Sequence, residues 1–387
     1  MSSYDTIVIG LGAMGSAAAW RCAQRGQRVL GLEQFDLVHQ LGSSHGRSRI
    51  IREAYYEHPA YVPLVREAYA LWNSLSEESQ YALLTPCHCA NIGPAGCEII
   101  TGVRVAAKEH QLPVEVLNAR ELMLLYPAFH LPEHYQAVVE SNAGWLQVET
   151  CVHVMQLMAC RHGAVLHANE MVLEWKAVPG NVTVRTNSDT YHARQLILTA
   201  GPWSRDLLCM AGVPLTVMRQ LQWFFKAPIT RSDEREKQTL PIFIIDTPAG
   251  SFYGIPAEHI WNGSKGTINM KIAQHYGAPE QAHPDEVNRQ IADDELIPVR
   301  KFMQQYLPAM ADAELQSASV CIYTLSPDRH FVIDRHPNHE NVALACGFSG
   351  HGFKFAPVVG EQLANLLEGK VREETRELFG IDRLLKP

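Results

Sequence analysis

The chain has 387 residues, 47% of them hydrophobic and 19% charged, with a formal net charge of −8. That length suits one large or two ordinary domains, each with its own core, and the acidic balance excludes a general nucleic-acid binder, which needs a basic face for phosphates. No apolar run approaches the ~20 residues of a membrane helix, and nine irregularly spaced cysteines are not a disulfide framework, so a cytoplasmic protein without a secretory signal or membrane contact is expected.

The first thirty-odd residues, YDTIVIGLGAMGSAAAWRCAQRGQRVLGLEQF, read as a strand (6–9), a glycine turn, an alanine-rich helix to about Arg25 and a second strand (28–32) ending at Glu33. Gly10, Gly12 and Gly15 match G-x-G-x-x-G. The first permits the tight turn, the second lets the backbone approach a pyrophosphate at the helix N-terminus, and the third lets helix and strand pack closely. Glu33 stands where a carboxylate accepts both ribose hydroxyls and repels a 2′-phosphate, which disfavours NADP. Strand, turn, helix, strand and acid in this order predict a dinucleotide site, NAD or FAD.

The regular α/β alternation then stops. GSSHGRSRIIREAY (42–55) concentrates His45, Arg47, Arg49 and Arg52 in an acidic protein, as an anion site would. The helical segment YVPLVREAYALWNSL follows. Cys87-His88-Cys89 has no second ligand pair and strand-like flanks, so no metal is expected. LILTAGPW is an apolar strand running into Ala200–Gly201. SFYGIPAEHIWNGSKGTINMKIAQHYG reads as a hairpin with its turn at Asn262–Gly266. Within it Lys271 sits between Met270 and Ile272, either on the exposed side of an alternating strand or buried for a functional reason, since an unpaired buried ammonium is costly. Trp223, Phe224, Phe225 and Trp261 suit either a substrate roof or a core. Cys321, in SVCIYTLSPDRHF, has by its residues alone the surroundings of a small buried hydrophobe. Near the C-terminus a strand, a loop with Gly347, Gly350 and Gly352, and a helix from about Ala356 make another anion site. A nucleotide domain assembled from three distant segments is the layout of a large flavin fold and rare among NAD enzymes.

GLGAMG, GSSHGRSRIIREAY, CIYTLSPDRHFVID and GFSGHGFKF, in this order, resemble the monomeric sarcosine oxidase family, which includes N-methyltryptophan oxidase and pipecolate oxidase. The resemblance spans nearly the whole chain. It implies an α/β architecture: a split Rossmann-like FAD-binding domain (1–84, 145–220 and 320–387) and a second domain (85–144 and 221–319) whose mixed or antiparallel sheet roofs the substrate. It implies FAD bound by Gly10, Gly12, Gly15, Glu33, Ser48, Gly350 and Gly352 and attached through a thioether at Cys321. By position His45, Ser48 and Arg49 line the flavin, and Arg52 and Lys354 hold the substrate carboxylate. Tyr253, Lys271 and His275 fall at functional positions, the lysine on the flavin face that meets oxygen.

The implied reaction takes hydride equivalents from a small secondary amino acid, N-methylated or cyclic and most simply sarcosine-like, hydrolyses the imine, and reduces O2 to H2O2. The implied state is a monomer. Departures at Ser44-His45-Gly46-Arg47 and at Tyr56 leave the substrate open. Arg47 is assigned to the pyrophosphate or to surface ion pairs. A flavin dehydrogenase with another electron acceptor and an NAD-dependent dehydrogenase are the alternatives.

Overall fold

The run 7–9 is uncharged and buried on both faces, as a central parallel strand requires. In a computed structural model, which describes residues 4–208, 213–226, 240–260, 267–277, 280–281 and 283–385, it belongs to β1 (Tyr4–Ile9). Helix α1 (Ala13–Gln24) leads to β2 (Val29–Leu32), and the arginine stretch supplies β3 (Ser48–Arg52). Then come α2 (Tyr61–Ser79), β4 (Leu84–Pro94), α3 (Glu98–His110), β5 (Val114–Asn118), α4 (Ala119–Leu125), β6 (Tyr135–Gln147) and α5 (Val148–Arg161). Strands β7 (Val165–His167), β8 (Val172–Val178), β9 (Asn181–Thr186) and β10 (Thr190–Leu198) precede the short α6 (Ser204–Leu207).

The second half adds β11 (Thr216–Lys226), β12 (Ile242–Thr247), β13 (Gly250–Ile260), β14 (Thr267–His275), β15 (Glu280–Gln281) and α7 (Ile297–Tyr306). It ends with β16 (Leu315–Leu325), β17 (Val332–His336), β18 (His339–Cys346) and α8 (Ala356–Leu367).

One sheet runs β17-β18-β10-β1-β2-β7, parallel from β18 to β7, with β9 and β8 added antiparallel beside β10. The three distant segments therefore do meet in one sheet: β1 lies between β2 and β10, and β18 joins β10. Helices α1, α5 and α8 cover one face, burying Ala17, Ala18, Met155 and Val359. The other sheet runs β15-β11-β14-β13-β12-β4-β6-β3, with β16 on β11 and β5 on β6; its pairs are antiparallel except β12 with β4. The expected α/β fold with a second, mixed sheet is present.

Two boundaries sit differently. Positions 220 and 320 fall inside β11 and β16, which pair from Thr216 opposite Leu325 to Phe225 opposite Leu315 in the second sheet. Strand β3, expected in the first domain, also joins that sheet through β6. Alternation along a strand does not reveal which sheet the strand enters. Trp223 and Phe225 belong to the core between the second sheet and α7, where Phe252 stacks on Phe302 at 4.4 Å. Phe224 faces the opposite side and lies under Arg47, 4.2 Å away. Trp261 and the turn Asn262–Gly266 lie outside the described residues.

The glycine turn is set by contact as much as by conformation. Gly10 has φ +84°, and a Cβ on Gly15 would lie 1.8 Å from the Gly10 carbonyl oxygen. Backbone cannot yield as a side chain tip can, so Gly15→Ala pushes α1 off the strand. We expect it to lower the unfolding free energy by about 1–3 kcal/mol in urea denaturation. An unchanged midpoint would show that helix and turn separate freely.

Candidate active site

Two cavities meet between the sheets. The larger, about 310 Å³, starts at Glu33 and Gln34, passes the turn of Gly10, Gly12 and Ala13 at the start of α1, and reaches Thr324 and Arg49. It lies at the carboxyl ends of β1, β2, β10 and β18, where open α/β sheets bind ligands. The smaller, about 70 Å³, is lined by Arg52, Glu57, Tyr253, His275, Lys354 and their neighbours. Arg49, Tyr323, Gly350 and Phe353 line both.

The larger cavity fits a dinucleotide on three observations. Its long wall is a helix N-terminus. At the cavity's far end the Thr324 hydroxyl is buried with no partner among the described residues. Gly350, at φ +80°, brings the 347–352 turn so close to Tyr323 that a Cβ would lie 2.5 Å from the ring, leaving the backbone facing the cavity. Glu33 is 5% exposed at the expected end, accepting from the Leu11 amide at 2.8 Å and the Phe35 amide at 3.2 Å. Burial raises its pKa against those amide bonds.

Behind Arg49 lie His45, Ser48, Lys271 and Cys321, all nearly fully buried and lining neither cavity directly. The His45 Nε2 and Ser48 Oγ have no partner among the described residues. Burial, helped by Arg49, takes the His45 pKa down to about 4, so the ring is neutral. Lys271 is 1% exposed, which removes the reading of an outward-facing strand lysine. Its ammonium donates to the Gly46 and Ser48 carbonyls at 3.0 and 2.9 Å and lies 6.0 Å from the Tyr253 ring. Cys321 Sγ lies 3.4 Å from Arg49 Nη2, and the next three residues, Ile322 to Thr324, line the larger cavity.

The smaller cavity has an unusual charge balance. Arg49, Arg52 and Lys354 face it, with Glu57 as the one carboxylate in the wall among the described residues. Arg52 donates to both Glu57 oxygens at 3.1 and 2.8 Å and to the Ala54 carbonyl at 2.6 Å, between the Tyr55 and Tyr56 rings. Burial alone would raise Glu57, but Arg52, with His351 and Lys354, holds its pKa down at about 2. Lys354 donates to the His351 carbonyl at 2.8 Å and to Tyr55 Oη at 3.4 Å. Burial first, and Arg52 second, bring its pKa down to about 7 against the pull of Glu57. His275 touches Tyr323 Oη at 3.1 Å, and burial drops its pKa to about 3; burial raises Tyr253 to about 12. Both are uncharged at neutral pH.

Every named site residue therefore falls at or directly behind these cavities. Arg47 is the exception to its expected role. Its φ of +66° turns it from the nucleotide cavity onto Phe224, with Nη2 donating to Ser317 Oγ at 3.1 Å, so it meets neither a pyrophosphate nor a surface carboxylate. Sequence reading missed Glu57 and His351, and it named Tyr323 and Thr324 only as the frame around Cys321. Glu57 had one signal, an acid five residues beyond Arg52. Cys87-His88-Cys89 lies in β4, with His88 bonded to Tyr126 Oη at 2.8 Å, and no cluster able to hold a metal occurs among the described residues.

The sequence profile of the FAD dependent oxidoreductase family matches residues 5–366. The chain is 36% identical over 387 residues to a monomeric sarcosine oxidase of Bacillus sp. (strain NS-129), covering 98% of this chain and 97% of the relative. It is 34% identical over 388 residues to an N-methyl-L-tryptophan oxidase of Salmonella dublin, covering 98% and 99%. Among solved structures, the open form of NikD, an unusual amino acid oxidase essential for nikkomycin biosynthesis, superposes with a TM-score of 0.82 at 23% identity, covering 98% of both chains, which shows the fold.

A lysine whose folded pKa is depressed destabilises the fold once protonated. Stability therefore falls as pH drops from the ordinary lysine value of 10.5 to about 7, and is flat below. Lys354→Met removes that penalty. Its melting temperature should exceed that of the unsubstituted protein at pH 7, with the gap closing toward pH 10.5. A pH-independent loss of stability would show that the ammonium is not buried at a cost.

Proposed function

Since the chain belongs to the FAD dependent oxidoreductase family, whose relatives here make it an enzyme acting on CH–NH donors, we propose that it is an oxidase of a small secondary amino acid, N-methylated or cyclic. The observation that carries this is the excess of positively charged groups, buried Arg52 and Lys354 and half-buried Arg49 against Glu57, in a small cavity that opens onto the nucleotide cavity. A carboxylate ligand satisfies that excess.

The α1 N-terminus, Glu33 and the 347–352 turn would hold FAD, which would supply the two-electron acceptor. Arg52 and Lys354 bind the substrate carboxylate, which competes with Glu57 for the guanidinium fork. Arg49 faces both cavities and favours negative charge where they meet. The surrounding cations also acidify the bound ammonium, and only the neutral amine can release hydride equivalents from carbon. Neutral His275 and Tyr253 fill the apolar and hydrogen-bonding sides without adding charge.

The amine loses two electrons and two protons and becomes an imine. Water hydrolyses the imine, so that an N-methyl substrate gives formaldehyde and the primary amine. Oxygen takes the two electrons and two protons to give H2O2, and the Lys271 ammonium stabilises the negative charge that develops on it. Cys321, between Arg49 and the Ile322–Thr324 wall, is the proposed point of thioether attachment to the flavin. The protein acts as a monomer in the cytoplasm.

After acid precipitation the pellet should be yellow, and Cys321→Ser should shift the colour to the supernatant; a yellow supernatant from the unsubstituted protein would remove covalent attachment. With N-methylglycine, H2O2 and formaldehyde should appear in equal amounts. Formaldehyde without peroxide, together with bleaching of an added dye, would make the enzyme a dehydrogenase. Lys271→Met should slow flavin reoxidation by oxygen about 100-fold or more and leave anaerobic reduction by substrate nearly unchanged. Equal slowing of both would place the lysine on the substrate side.

A further inference from the structure

Strand β6 buries a carboxylate that none of this chemistry uses. Glu140 is 3% exposed, and its Oε2 accepts the backbone amides of Glu53 and Ala54 at 2.9 and 3.0 Å. Among the described residues its Oε1 has no partner, nor has the side-chain oxygen or nitrogen of Asn91, fully buried two residue pairs along on the adjacent β4. The two amides that Glu140 holds are the first after Arg52. The irregular segment from there to Glu57 carries the ion pair that faces the smaller cavity. Its other ties include the Glu53 side chain, bonded to Arg66 and Asn142, the close approach of the Tyr56 carbonyl to Gly102, the Ala54 carbonyl accepting from Arg52, and Tyr55 Oη, 2.6 Å from His351 Nδ1; of these, none fixes the two amides that follow Arg52.

We propose that Glu140 is a positioning residue for substrate binding: by gripping the Glu53 and Ala54 amides it fixes the loop that aims Arg52 and Glu57 into the smaller cavity. This rests on the assignment of that cavity to a carboxylate substrate. Hydrogen bonds from amides to an ionised carboxylate are roughly twice as strong as to a neutral acceptor, so the grip depends on the charge of Glu140. The titratable or charged groups facing it are Arg52 and Glu53 at the end of β3, Cys89 on β4 and Tyr69 on α2, while β5 contributes apolar Val114. Burial pushes Glu140 up to about 7, against the two amides and Arg52. A carboxyl whose pKa is raised in the folded state costs stability as pH climbs from the ordinary glutamate value of 4.5 to about 7. The grip is therefore tightest above neutrality, where the ionised carboxylate also destabilises the fold. A residue kept only for stability shows the reverse.

Glu140→Gln keeps an acceptor oxygen and removes the charge. The probe is acetate, a carboxylate without an amine and ionised across the range, its binding to the holoenzyme read from the flavin spectrum. The ratio of acetate dissociation constants, variant over unsubstituted protein, should rise from near one at about pH 6 to about tenfold at about pH 8.5. Using the ratio cancels the opposite trend from Lys354, whose charge is lost over the same interval. The variant should melt no lower than the unsubstituted protein at the higher pH.

A ratio of one throughout, or a constant ratio with a lowered melting temperature, overturns the proposal. Arg52→Lys is the control: if it leaves acetate binding intact, the carboxylate assignment itself fails, whereas weakening there without the Glu140 effect removes only the positioning role. Should Glu140→Gln not yield folded holoenzyme, Glu140→Asp keeps the charge but is too short for both amides, and unaltered acetate binding in it at about pH 8.5 overturns the proposal equally.

Discussion

Arg49, Arg52 and Lys354 share one small cavity, and among the described residues only Glu57 opposes them in its wall. Buried cations are tolerated when paired and hydrogen-bonded, and are strongly destabilising when a partner is missing. Here the pairing is incomplete. Lys354 answers by losing affinity for its proton, and Arg52 by taking both Glu57 oxygens and lying between two tyrosine rings. The remaining deficit is what an anionic ligand satisfies, and its place beside the nucleotide cavity turns a charge imbalance into substrate orientation.

The two sheets make that imbalance possible. The parallel sheet gathers three remote segments so that their carboxyl ends and the start of α1 line one cavity. The second sheet brings β3, β14 and β16 to the far end of it, placing Arg49 at the cavity with Lys271 and Cys321 buried behind it. Strand β3 is the hinge of the layout. It leaves the nucleotide half in sequence, joins the roof through β6, and carries Ser48, Arg49 and Arg52 across the junction. The chain aligns with its FAD dependent oxidoreductase relatives over nearly full length.

What sequence reading reached was local. The glycine turn, α1, β2 and Glu33 follow from short-range pattern, as do the strand before Ala200–Gly201 and the glycine loop before α8, and all lie at the larger cavity. The resemblance to sarcosine oxidases located the basic residues. Glu57 and Glu140 stayed hidden because their roles depend on what lies opposite: a loop folded back on Arg52 in one case, and a strand 87 residues away in the other. The same limit explains Arg47, whose left-handed backbone sends a basic side chain onto Phe224, and the sheet membership of β11 and β16 at the expected boundaries. Lys271 was ambiguous between two faces of a strand until the neighbours β11 and β13 were in place.

The most direct measurement is anaerobic bleaching of the flavin by N-methylglycine set against N-methylethylamine, which offers a comparable CH–NH bond and no carboxylate. If Arg52 and Lys354 hold the substrate, the amino acid should reduce the flavin on the order of a hundredfold or more faster at equal concentration. Equal rates would mean that the buried cations do not bind the substrate, and would contradict the link between charge imbalance and catalysis.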